Sequence, residues 1–147
     1  MPQCRVLIVE DDQSIRNLLS VAATRWGFAT EACGTGADAI ARIGDGSDFD
    51  VVVLDLMMPV TSGYDVILYI REKQLPVPVI VVTAVVRNLE LDRLDPGVVR
   101  AVLRKPFDLD RLSEAIASAC RARRTAGRSD AGPLIPERGP EPEVETS

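Results

Sequence analysis

Short apolar runs alternate with amphipathic stretches from residue 5 to about residue 124. The first run, Arg5-Val-Leu-Ile-Val9, is apolar and β-branched and predicts a strand. Behind it Ile15, Leu18, Leu19, Ala22, Ala23 and Trp26 recur at helical spacing, with Asp12 as the expected N-cap and Gly27 as terminator. A second strand is predicted over 28–32. Thr35 and Asp38 then have capping-box-like spacing ahead of Ala39, Ile40 and Ile43. The run Asp50-Val-Val-Val-Leu-Asp55 is apolar throughout its interior, as a strand covered on both faces must be. A helix over 63–73 buries Val66, Ile67 and Ile70. A fourth strand over 77–82 carries its prolines at the start, where they cost least. The segment 87–94 reads as a weak helix closed by Asp95-Pro96-Gly97. Residues 98–103 supply the fifth strand, and a last helix from Asp108 buries Leu109, Leu112, Ile116, Ala119 and Cys120.

Strands alternating with helices predict a parallel sheet covered on both faces, an α/β architecture. From Thr125 the pattern stops. Pro136, Pro140 and Pro142 alternate with Glu137, Glu141, Glu143 and Glu145, too little apolar surface to offset the entropy of ordering. The expected organisation is one domain over 1–124 and a disordered acidic tail over 125–147.

Composition then removes whole classes of function. The chain has 147 residues, 46% of them apolar, a net charge of -5 and no histidine. Without histidine there is no Ser-His-Asp or Cys-His catalysis and no His-ligated metal. The acidic balance argues against direct nucleic-acid contact, and Arg121, Arg123 and Arg124 read as complements to a helix dipole. No apolar run is long enough to cross a bilayer and the N-terminus does not resemble a secretory signal, so the expected setting is the cytoplasm. Cys4, Cys33 and Cys120 are odd in number and share no CxxC spacing. They are expected to be reduced, buried, small hydrophobes rather than a disulfide frame or a zinc site.

In parallel sheets of this kind polar sites gather beyond the carboxyl ends of the strands. Those ends carry Glu10 and Asp11, Asp55, Thr83 and Lys105. Each alone is ordinary in a cap or turn; their joint placement at one edge is the signal. Two carboxylates about 5 Å apart repel by roughly 3 kcal/mol at an effective dielectric of about 20. Three together need a cation beyond Lys105, and an all-oxygen ligand set with room for water favours Mg²⁺. One carboxylate can then act as nucleophile toward an anionic phosphoryl group, with Thr83 and Lys105 pairing to its oxygens.

Val6-Leu-Ile-Val-Glu-Asp-Asp12, Val53-Leu-Asp-Leu-Met-Met-Pro59 with Gly63, Val81-Val-Thr-Ala84 and Leu103-Arg-Lys-Pro-Phe107 together resemble the receiver domain of bacterial two-component response regulators. The resemblance covers nearly all of residues 4–124. It implies a flavodoxin-like fold with five parallel strands in order 2-1-3-4-5 and a cis bond between Lys105 and Pro106. It implies Asp55 as phosphoacceptor, with Mg²⁺ held by Asp11, Asp55 and the carbonyl of Met57, and Glu10 completing the acidic pair. Thr83 and Lys105 would sense and hold the phosphoryl group, and Asp12 is left to capping. The implied phosphate source is a sensor histidine kinase or phosphotransfer protein. The output expected of a stand-alone receiver is a protein–protein contact, including a homodimer through the fourth helix, fifth strand and fifth helix.

The chain departs from the family's pattern at Val102, where many receivers carry an aromatic three residues before the lysine; any switch would then depend on repacking over 85–94. Met57 and Val85, at the positions flanking the phosphoryl site, are both apolar, so neither can orient an attacking water. Among rival readings, a flavodoxin-like electron carrier fails because Glu10-Asp11-Asp12 would repel the flavin phosphate. A metal-dependent aspartyl phosphohydrolase commonly has a second acid two residues after the nucleophile, where this chain has Met57. A receiver-shaped module that is never phosphorylated would have no use for all five polar residues.

Overall fold

The computed structural model describes residues 3–44, 49–58, 60–84 and 94–128. Five strands, β1 (Arg5–Val9), β2 (Ala29–Cys33), β3 (Val51–Leu54), β4 (Val79–Thr83) and β5 (Val99–Arg104), form one sheet in the order β2-β1-β3-β4-β5, every neighbouring pair parallel. The helices are α1 (Gln13–Arg25), α2 (Gly36–Gly44), α3 (Gly63–Glu72) and α4 (Leu109–Arg128). This is the expected α/β sheet in the expected strand order. The weak helix expected over 87–94 lies almost wholly outside the described residues, as does the tail from residue 129 on. The last helix continues to Arg128, past the boundary expected at 124.

Strand alternation divides the core. Leu7, Val9, Val52, Leu54, Val79 and Val81 face a layer with Ile43 of α2 and Val66 and Ile70 of α3. Val6, Ile8, Val51, Val53, Ile80 and Val82 face the other layer, with Leu19 and Ala23 of α1 and Leu112, Ile116 and Ala119 of α4. Continuous apolar runs were the right signature because each successive residue enters one core or the other. Val102 is a partly buried member of the first layer.

The local signals hold where they concern backbone chemistry. Asp12 caps α1, its side chain accepting from Ile15 N. Trp26 is the C-cap and Gly27 follows at φ 96°, a conformation that glycine adopts without steric cost. Asp38 N donates to Thr35 Oγ1 at the start of α2, and Ser62 with Asp65 forms a capping box on α3. One expectation about burial fails: Leu109 sits at the exposed margin of α4, because the apolar stripe the helix turns to the sheet is narrower than the run of apolar residues.

The cysteines require a correction. Cys33 is free and buried, as expected, but Cys4 and Cys120 form a disulfide. They stand 116 residues apart in sequence with Cα atoms 6.2 Å apart, because α4 packs back across the sheet onto the start of β1. Sequence spacing carries no trace of a pairing made by tertiary packing.

Candidate functional site

The site is built on backbone ladders that run one residue past the strands. Asp55 N donates to Val9 O at 3.0 Å, Glu10 N to Cys33 O at 3.1 Å, and Lys105 N to Thr83 O at 2.8 Å. Glu10, Asp55, Thr83 and Lys105 are therefore held at the carboxyl edge by main chain, before any side-chain contact is made. The peptide between Lys105 and Pro106 is cis.

Glu10, Asp55 and Thr83 are the buried polar side chains of the described residues. Carboxylate oxygens of Glu10, Asp11 and Asp55 lie within 4.8 Å of one another. Glu10 and Asp55 are buried and Asp11 is exposed, so the cluster has a dry floor and a wet mouth. Lys105 Nζ lies 3.1 Å from Glu10 Oε1 and 3.5 Å from Asp55 Oδ2. Glu10 Oε2 also accepts from Asp12 N at 3.2 Å, and Asp55 Oδ1 accepts from Met57 N at 3.1 Å.

Burial pushes the Glu10 carboxyl above the ordinary glutamate range, and the neighbouring Asp55 charge adds to the effect against the Asp12 and Lys105 hydrogen bonds. Burial pulls the Lys105 ammonium down, but the Glu10 hydrogen bond and the Asp55 charge outweigh it and hold it above the usual lysine value. One ammonium thus faces three carboxylates. Hard oxygen donors at this spacing, with one of them open to solvent, fit a hydrated divalent cation of the Mg²⁺ type.

Glu10, Asp11, Asp55, Met57, Thr83 and Lys105 all fall at this edge. Glu10, Asp11, Asp55 and Lys105 meet through side chains. Thr83 is joined through its carbonyl to Lys105, and Met57 through its N–H to Asp55. Asp12 serves α1 as a cap. Val85 lies outside the described residues.

Two supporting residues were not singled out for the site's geometry. Arg16 Nη1 donates to Glu10 O at 2.8 Å and reaches Asp11 O at 3.5 Å, bracing the loop that carries the acidic pair. Its signal in the sequence is slight, a basic residue in the second turn of α1. Gly63, noted only as part of a motif, packs directly on the backbone of Asp55 and Leu56; a Cβ there would lie 2.5 Å from Asp55 O and 2.7 Å from Leu56 Cα.

Comparison with known proteins agrees with this geometry. The response regulator receiver domain family matches residues 6–117. The transcriptional regulatory protein TcrA of Mycobacterium tuberculosis is 39% identical over 111 residues, which are 74% of this chain and 42% of that protein. The chain thus spans less than half the length of this relative. Among solved structures, the signal receiver domain of a putative Luxo repressor protein from Vibrio parahaemolyticus superposes with a TM-score of 0.77 at 29% identity, covering 86% of this chain and 96% of that one. The response regulator protein TrrA from Thermotoga maritima, determined in complex with Mg(2+)-BeF, gives a TM-score of 0.71 at 28% identity, covering 80% of this chain and 99% of that one.

Proposed function

The chain belongs to the response regulator receiver-domain family, and from that premise we propose that Asp55 accepts a phosphoryl group in a two-component phosphorelay. The observation that carries this reading is the meeting of Glu10, Asp11 and Asp55 within 4.8 Å, with Lys105 beside the buried pair. Receiver domains are signalling proteins, and we read this one as a phosphoacceptor rather than a turnover enzyme.

The donor is a phosphohistidine of a sensor histidine kinase or phosphotransfer protein. An Asp55 carboxylate oxygen attacks phosphorus, the P–O bond forms as the P–N bond breaks, and the electron pair returns to the donor imidazole. Glu10, Asp11, Asp55 and the Met57 carbonyl are the residues that would hold Mg²⁺; the ion supplies charge neutralisation between the carboxylates and the incoming phosphoryl oxygens. Lys105 pairs with one phosphoryl oxygen, and the Thr83 hydroxyl donates to another. The Met57 N–H, already on Asp55 Oδ1, orients the carboxylate so that its other oxygen is the nucleophile. A cytoplasmic setting follows from the kinase as donor, and the output is a protein–protein contact, with a homodimer through the β5 face among its forms.

The test is intact mass after incubation with Mg²⁺ and a small-molecule phosphodonor. The native chain should gain one phosphoryl group. Asp55→Asn, or removal of Mg²⁺ by chelation, should abolish the gain. Continuous turnover of a phosphate ester would instead favour the phosphohydrolase.

A further inference from the structure

The Cys4–Cys120 bridge lies at the opposite end of β1 from Glu10 and takes no part in phosphoryl chemistry. Cys4 precedes β1 directly. Cys120 lies in the third quarter of α4, one residue after Ala119 in the layer that includes Val6 and Ile8. Both residues are buried, and their Cα separation of 6.2 Å falls in the range a disulfide spans without backbone movement. The bridge closes nearly the whole domain into one covalent loop and fixes the helix that directly follows Lys105.

We propose that Cys4 and Cys120 form a reversible thiol–disulfide site that covalently pins the C-terminal half of α4 to the start of β1. In the reduced state the two thiols remain as small apolar side chains in the same layer, and the packing of Leu112, Ala115, Ile116 and Ala119 holds the helix without a covalent link. The oxidant is a low-molecular-weight disulfide of the glutathione type. One cysteine thiolate attacks it, releasing one small thiolate and leaving a mixed disulfide. The second cysteine thiolate then attacks the protein sulfur and releases the other small thiolate. Two electrons pass to the small disulfide, one protein S–S bond forms, and two small thiols are produced.

Selectivity is built into the surroundings of the third cysteine. Cys33 is buried in the first core layer, whereas Cys4 and Cys120 lie together in the second. Cys33 ends β2, at the far edge of the sheet from the bridge. The exchange therefore has one productive pairing among the three thiols.

The Asp50 carboxylate makes the reduced cluster a competing metal site in principle, since one ligand atom from each of Cys4, Asp50 and Cys120 lies within 4.8 Å of the others. Asp50 is already committed to β1, accepting from Arg5 N at 2.9 Å and donating its own N–H to Arg5 O at 2.8 Å. That use favours the thiol–disulfide reading.

The native full-length chain is equilibrated in graded ratios of glutathione disulfide to glutathione, quenched in denaturant, alkylated and mapped by mass. Expected are three alkylated cysteines at the reducing end and Cys33 alone at the oxidising end, with a crosslinked peptide pair containing Cys4 and Cys120. Amide exchange over 112–120 should slow at least tenfold on oxidation. The unfolding midpoint should rise by about 10 °C. Cys33→Ala should leave all of this unchanged, and Cys4→Ala and Cys120→Ala should each remove it. If those two variants fail to fold, the native peptide map decides. Three cysteines that stay alkylatable at every ratio, stable single glutathione adducts, or identical exchange over 112–120 in both states would overturn the proposal. So would stoichiometric Zn²⁺ that shields Cys4 and Cys120 from alkylation in a manner dependent on Asp50.

Discussion

Lys105 and Glu10, 95 residues apart in sequence, form a 3.1 Å ion pair between the ends of β5 and β1, shorter than the 3.5 Å approach of the same ammonium to Asp55. The lysine is therefore anchored by the buried Glu10 and reaches Asp55 from that anchor. Its raised proton affinity adds stability that is fully present below the ordinary lysine value of 10.5 and is lost as pH climbs through the higher folded-state value.

Replacing Lys105 with alanine removes the positive charge that competes with a divalent cation. Calorimetry should show Mg²⁺ binding about fivefold tighter, equivalent to about 1 kcal/mol for a partly solvated charge. Phosphoryl uptake from a small donor should fall at least tenfold, because one oxygen of the transferring group loses its partner. Equal losses in both measurements would indicate a folding defect instead.

Gly63→Ala places a methyl group against Asp55 O and Leu56 Cα, both main-chain atoms that cannot swing away. The expected cost is about 2–3 kcal/mol in denaturant unfolding, typical of overpacking against a rigid neighbour. Because the displaced atoms belong to the peptide between Asp55 and Leu56, phosphoryl uptake should drop as well in the fraction that remains folded.

Arg16→Ala deletes the brace on the carbonyls of Glu10 and Asp11. Charge-assisted bonds of this kind contribute about 1.5–3 kcal/mol, and a partly exposed arginine falls at the lower end. Mg²⁺ affinity should fall several-fold by calorimetry while Asp55 remains phosphorylatable at saturating metal. Arg16→Lys should restore part of the affinity, since a single nitrogen, Nη1, makes both contacts.

Cys33 gives a pH test. Its thiol titrates at about 11 in the folded chain against 9.0 for the ordinary group, so between those values the unfolded chain has lost a proton that the folded chain keeps. Stability from this residue is complete below pH 9 and declines above it, by roughly 1 kcal/mol at pH 10. Guanidinium unfolding at pH 8 and pH 10 should show that extra decline in the native chain relative to Cys33→Ala.

Met57 is exposed at the mouth of the acidic cluster, and its thioether cannot hold a water for attack on a phosphoryl group. The phosphorylated chain should therefore lose its label slowly without a phosphatase. Met57→Asn should speed the loss several-fold, as followed by intact mass over time. Rapid loss from the native chain would contradict this expectation.

Much of this was legible from residue pattern alone. Alternating strands and helices predicted the parallel sheet, and Glu10, Asp55, Thr83 and Lys105 could be placed together because each directly follows or ends one of its strands; the strand order came only with the resemblance to receiver domains. What escaped was set by packing across the molecule. Arg16 reaches the site by wrapping over a loop, which helical periodicity does not encode. The Cys4–Cys120 pair depends on where the last helix lands on the sheet, a distance no local window contains. Leu109 failed as a core position because periodicity gives the direction of a stripe, not its width.

The uneven wetting of the acidic cluster has a directional consequence. Thr83 is sealed and Asp55 nearly so, while Asp11 and Met57 stand in solvent. Among the described residues the open side of the cluster is the side of Asp11 and Met57, so an incoming phosphoryl donor would meet those two before it reached Asp55.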